Sequence, residues 1–299
     1  MRAGGTIRGL TVAVLGAVSL VVASGAAAGS APPPARIVSL NPCLDTILVH
    51  VADRGQIAAL SHYAREPGGS TISGVARTLP FTYETAEEVI ARKPDLVLTS
   101  QHSQPGTRAA LARLGIRTAL FKVPETLAES IDQVRDVAAA VGHPARGEAL
   151  ARRIEAAMAA ARQQARGVPP IPTVVFQPGG FSPGKGSLPD ALLALAGFDN
   201  VAARYGVEHW GVIPLERLVA DPPRLVLAGG GTLGEPFQRT GLLAHPVLDR
   251  LAGRLTIAPY PAPLFYCGGP AILPALAYLQ QARREVAGVA ATSIKGSAR

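Results

Sequence analysis

A chain of 299 residues with 48% hydrophobic content can bury one large core or two modest ones, and with domains clustering near roughly 100–150 residues two lobes are expected. The formal charge is +8, or +6 without Arg2 and Arg8, yet the 29 basic residues form no run and aromatic content is only 5%, which argues against a nucleic-acid partner. The excess is mostly arginine and reads as a solvated surface.

The chain opens with Arg2 and Arg8, an apolar run from Leu10 to Val22 and small residues through Ala28, the pattern of a secretory signal peptide over 1–28. That run is shorter than the roughly 20 residues a membrane helix needs, and no second run of that length follows. Residues 29–35, with Pro32-Pro33-Pro34, form a stiff leader. An N-terminal lobe is expected over 36–143, with strands at 36–40, 56–60, 95–100 and 117–123. The helix before the third strand begins at Thr85 with Glu88 three residues on, a capping box, and stops at Pro94. A helix over 126–141 closes the lobe.

A long helix within 144–167 carries Leu150, Ile154, Ala157, Met158 and Ala161 on one stripe, with Arg152, Arg153 and Arg162 elsewhere. About 22 residues at about 1.5 Å each span about 33 Å, enough to join two small lobes. The second lobe, 168–287, repeats the grammar: strand 173–177, helices 189–196 and 214–219, strands 224–228 and 254–258, and helix 271–286; a polar, flexible tail is expected over 288–299. The fold class is therefore α/β: two Rossmann-like lobes with mostly parallel sheets, joined by one long helix, with a cleft between them.

One junction is written twice. EEVIARKPDLVL from Glu87 recurs 129 residues later as ERLVADPPRLVL from Glu216, with Pro94 over Pro223 and one buried Leu-Val-Leu strand over another. Each copy is headed by an acid, which a helix first turn favours by roughly 0.3–1 kcal/mol whatever its function.

The stretches ARIVSLNPCLDTIL, AEEVIARKPDLVLTS and GGFSPGKGSLPDALLALAGFDNVAA resemble, in that order, the opening strand, the third-strand signature and the second-lobe glycine loop of the substrate-binding proteins of ABC importers for iron–siderophore complexes, haem and cobalamin. The likeness covers about residues 36–285. It implies a monomeric periplasmic carrier, not an enzyme, with no intrinsic cofactor and a metal complex, iron chelate or cobalamin, as ligand. It also implies that Glu87 and Glu216, with Glu88 able to share the first role, dock onto the ABC transporter membrane subunits.

Ligands of open α/β sheets sit beyond the carboxyl ends of the strands. On that ground His62, Tyr63, Arg65, Ser100, Gln101 and His102 are candidate ligand-binding residues of the first lobe. Phe181, Lys185, Trp210, Phe265 and Tyr266 are those of the second. By the resemblance, Tyr63 and Trp210 fall where cobalamin-binding relatives place aromatic walls, whereas Arg65 suits an anionic ligand. Residues 179–186 nearly spell a phosphate-binding loop, but Gly186 stands where Ser or Thr must hold Mg²⁺ and Pro183 removes a donor, so nucleotide is disfavoured. His62, His102 and His209 lie on cleft loops without metal-binding spacing, and no bare-metal site is assigned. Cys43 and Cys267 follow the first and last strands; a disulfide stapling the lobes, soft ligands to the cargo, and unrelated thiols all remain open. Two alternatives stand beside the iron-chelate or corrinoid carrier: a divalent-metal or haem carrier on the same scaffold, and a metal-handling or redox protein using the two cysteines.

Overall fold

The structure, a computed structural model, describes residues 32–230, 233 and 238–296, with Met1 and Gly4. The signal-peptide reading lies outside the described residues. Pro33–Arg299 forms one compact unit.

The first lobe alternates strand and helix. It runs β1 (Ile37–Ser39), α1 (Pro42–Val51), β2 (Ile57–Ser61), α2 (Ser73–Ala76), β3 (Phe81–Thr82), α3 (Ala86–Ala91), β4 (Leu96–Ser100), α4 (Pro105–Arg113), β5 (Thr118–Phe121) and α5 (Leu127–Ala140). Its five strands are all parallel, in the order β3-β2-β1-β4-β5. Asn41 caps α1: its side-chain oxygen accepts from the backbone N–H of Cys43 and Leu44, and Pro42 stands where a missing donor costs nothing.

α3 is capped at Thr85, whose hydroxyl accepts from Glu88 N–H at 3.3 Å. The predicted reciprocal bond is not made. The Glu88 carboxylate instead accepts from the Thr82 hydroxyl at 2.7 Å and from Tyr83 N–H at 2.6 Å, closing the turn ahead of the helix. The helix leaves through Lys93 in the left-handed region (φ 48°), and Pro94 then forbids continuation. A full capping box stands at α5, where Thr126 and Glu129 satisfy each other's backbone.

α6 (Pro144–Ala165) is the 22-residue connecting helix. Leu150, Ile154 and Ala161 are buried, Ala157 and Met158 partly so, as its stripe requires, while Arg152, Arg153 and Arg162 face solvent. The buried stripe makes one continuous apolar cluster with Ile47 and Val134 of the first lobe and Leu192 and Leu276 of the second.

The second lobe contains β6 (Ile171–Phe176), β7 (Phe181–Pro183), α7 (Leu188–Leu195), β8 (Phe198–Asn200), β9 (Trp210–Val212), α8 (Leu215–Ala220), β10 (Leu225–Ala228), β11 (Thr256–Pro259) and α9 (Ile272–Gly296). Four strands form a parallel sheet ordered β11-β10-β6-β8, and β7 with β9 makes an antiparallel ribbon that the hydrophobic pattern did not announce. α9 continues as helix through the stretch read as a tail, to Gly296. Among the described residues no helix is long and apolar enough to cross a membrane.

Candidate functional site

The carboxyl ends of β4 and β5 face the second lobe across a chamber of about 370 Å³. Gln101, His102 and the segment Val123-Pro124-Glu125 form one side. Opposite stand Phe181, His209, Trp210, Phe265 and Tyr266, with Ser187-Leu188-Pro189 at the start of α7.

The second-lobe side is an aromatic wall. Phe181 and Trp210 are stacked, with centroids 5.4 Å apart and planes at 12°. Phe265 meets Trp210 edge-on at 5.7 Å and Tyr266 edge-on at 5.2 Å. Local folding explains the stack, because the β7–β9 ribbon pairs Phe181 with Val212 and Pro183 with Trp210. Trp210 is 42% exposed and Tyr266 58%, whereas Phe265 is buried and supports both. Rings held in this way present apolar area with polar edges, which suits a large planar or cyclic ligand.

Gly184 lets the ribbon close. Its N–H donates to His209 O at 2.6 Å, and a Cβ built there would stand 2.1 Å from Glu208 O. Gly184→Ala is therefore expected to lower stability by roughly 1–3 kcal/mol and to loosen the wall. Urea unfolding reads the first effect and the fluorescence of Trp210, the sole tryptophan, the second; an unchanged midpoint and spectrum would show that the close approach is not needed.

Lys185 does not point into the chamber. Its ammonium pairs with Asp199 at 3.1 Å and Asp190 at 3.8 Å, which fastens the loop to the second lobe. The near-phosphate-loop pattern is spent on β7 and on Ser187, which caps α7 through Asp190 N–H. Ser100 is buried and structural in contact, accepting from Asn41 Nδ2 at 3.2 Å and His102 N–H at 3.3 Å.

His62, Tyr63 and Arg65 follow β2 and lie apart from the Trp210 chamber. The His62 ring lies 3.8 Å from the Tyr63 ring, tilted 37° to it, and the Arg65 guanidinium sits 4.3 Å over the Phe81 ring. His62 and Arg65 line a separate depression of the first lobe with Arg77, Phe81 and Tyr83.

Cys43 and Cys267 are joined as a disulfide, with Cα atoms 5.2 Å apart. Glu87 and Glu216 are both exposed, in the first turns of α3 and α8, each helix leading into an interior strand of its own sheet.

Sequence reasoning missed one part of the site and one buried acid outside its lining. The expected strand over 117–123 runs into the chamber segment 123–125, but β5 stops at Phe121 and Pro124 turns the chain along the cleft; that proline is the available signal. The second is Asp45, fully buried on α1 beneath the ends of β1 and β2, where burial pushes its carboxyl up to about 8. Its Oδ2 accepts from the hydroxyl and N–H of Ser61, while its Oδ1 has no partner among the described residues. Nearby Glu84, also buried, is pushed up to about 7. Among the described residues no three His, Cys, Asp or Glu side chains converge to hold a bare metal ion.

Residues 37–252 match the model of a family described as periplasmic binding protein. Three solved structures share the fold. Haem-binding protein RhuT from Roseiflexus sp. RS-1 is 25% identical, with TM-score 0.61 over 83% of this chain and 98% of that one. Haem-binding protein HutB of Vibrio cholerae is 16% identical, with TM-score 0.66 over 82% and 97%. Vitamin B12-binding protein BtuF of Vibrio cholerae is 19% identical, with TM-score 0.60 over 84% and 98%. No curated protein matches the sequence.

Proposed function

The chain belongs to the periplasmic binding protein family, and from that premise we propose that it is the exported capture component of an ABC importer, taking an iron chelate or a corrinoid into the cleft between its lobes. The observation that supports this most is the aromatic wall of Phe181, Trp210, Phe265 and Tyr266 facing His102 and Gln101 across the chamber. Such a site grips by area and shape. Among the described residues Glu125 is the one carboxylate lining this chamber, and Glu129, Asp132 and Asp136 lie in the adjoining depression.

A haem carrier is the second reading. His102, His209 and Tyr266 supply imidazole and phenol groups from both lobes beside the rings, a donor set that suits an axial position on a metal macrocycle. Titration with hemin, cobalamin and a ferric siderophore, followed by absorbance and Trp210 quenching, separates the readings. One of the three is expected to saturate the protein. Trp210→Ala is expected to weaken that binding by roughly 2 kcal/mol or more, about thirtyfold. Saturation by none of them, or full affinity without the indole, would sink the proposal.

A further inference from the structure

The disulfide lies beside the residues that form the chamber wall. Cys43 is in the first turn of α1 in the first lobe, and Cys267 directly follows Phe265 and Tyr266 of the second. The chain just beyond the bridge is also seated on the first lobe. Gly269 N–H donates to the Ser130 hydroxyl of α5 at 2.6 Å. A Cβ built at Gly269 would lie 3.3 Å from both Ile47 of α1 and Val134 of α5, and one at Gly268 only 2.1 Å from Ser130 Oγ. Second-lobe chain bearing half of the aromatic wall is thus held against first-lobe helices by a covalent bond, a hydrogen bond and close backbone packing in succession.

We infer that the Cys43–Cys267 bridge is a positioning element of the ligand site: it fixes Phe265 and Tyr266 against the first lobe and sets how far the lobes can part. With α6 it makes a second covalent path between the lobes, at the cleft rather than behind it. The hydrogen bond and the close packing begin only beyond the bridge, at Gly268 and Gly269, so the bridge is the attachment nearest in sequence to Tyr266, whose ring is largely exposed. The inference deepens the proposed function by naming what holds that site in shape, and it rests on that reading only for the ligand arm of its test.

The test compares the oxidised protein with Cys43→Ser/Cys267→Ser. Should the variant not fold, the native protein is treated with a water-soluble trialkylphosphine, which cleaves the S–S bond to two thiols and becomes the phosphine oxide, water supplying the oxygen and two protons. Hydrogen exchange is read at Phe265 and Tyr266 and across α5, and acrylamide quenching is read at Trp210. Without the bridge, exchange at Phe265 and Tyr266 is expected to quicken at least tenfold and Trp210 to become more accessible, with α5 unchanged. Hemin, used as the probe ligand, is expected to leave at least tenfold faster. Unchanged exchange and quenching overturn the inference, and so does unchanged hemin release from a protein whose wall has loosened. If hemin does not bind the oxidised protein, the haem reading fails, and exchange with quenching alone decides the role of the bridge.

Discussion

Reversing both acids, Glu87→Arg with Glu216→Arg, is expected to abolish delivery to the importer while ligand capture stays intact. We propose that the two repeated junctions dock this carrier on a permease of twofold symmetry, to which each lobe would offer the same charge. Glu87 and Glu216 do so from matching first turns and are exposed. Glu88 is a poor substitute because its carboxylate is committed to Thr82 and Tyr83. Close charge pairs across an interface couple by roughly 1.5 kcal/mol or more, and about 1.4 kcal/mol is tenfold in affinity. Two reversals together should therefore weaken the complex by about a hundredfold or more. Carrier-stimulated ATP hydrolysis by the importer in nanodiscs measures delivery, and ligand titration of the free variant measures capture. If the acids serve only their helix dipoles, stimulation persists and the loss appears instead as roughly 0.3–1 kcal/mol of stability per site.

The second large effect is on stability against pH. Burial holds the carboxyls of Asp45 and Glu84 up at about 8 and about 7, whereas in the unfolded chain they titrate near 3.9 and 4.3. Between those limits the folded state binds more protons than the unfolded state, so stability falls as pH rises. Each proton contributes up to about 1.4 kcal/mol per pH unit. The contribution is fully present below about pH 4, is lost progressively as pH climbs through the folded values, and is flat above about pH 8. Asp45→Asn keeps the shape of the protonated acid and cannot ionise. Its unfolding free energy, from urea titrations at pH 5, 6, 7 and 8, should therefore decline less steeply than that of the native chain. Above neutrality the variant should be the more stable of the two. Parallel curves for the two proteins would mean that Asp45 titrates as an ordinary carboxylate.

Much of the architecture was legible because it rests on local chemistry. The stripe of Leu150, Ile154 and Ala161 specifies a helix with one buried face, and 22 residues are long enough to connect two lobes. Pro94 and Pro223 precede Leu-Val-Leu strands that are fully buried in both sheets, and continuous apolar runs of that length are what parallel strands covered on both faces demand. α1 could also have been read, since Asn41 followed by Pro42 is a cap and first-turn pair.

What the chain by itself determined is therefore its elements, its duplication and the residue types facing the cleft, because periodicity, capping and proline act over a few neighbouring positions. Only the tertiary structure decided which loops share a chamber. In a parallel sheet each crossover can place its next strand on either flank, and here β2 and β3 lie on the far side of β1 from β4 and β5. That order puts Gln101 and His102 beside the segment 123–125 and opposite Trp210, and it carries His62 and Arg65 to another depression. The pairing of Cys43 with Cys267, the ion pairs that draw Lys185 aside and the burial of Asp45 are likewise contacts between distant positions. Those depend on how lobes and layers pack, a quantity that no local pattern encodes.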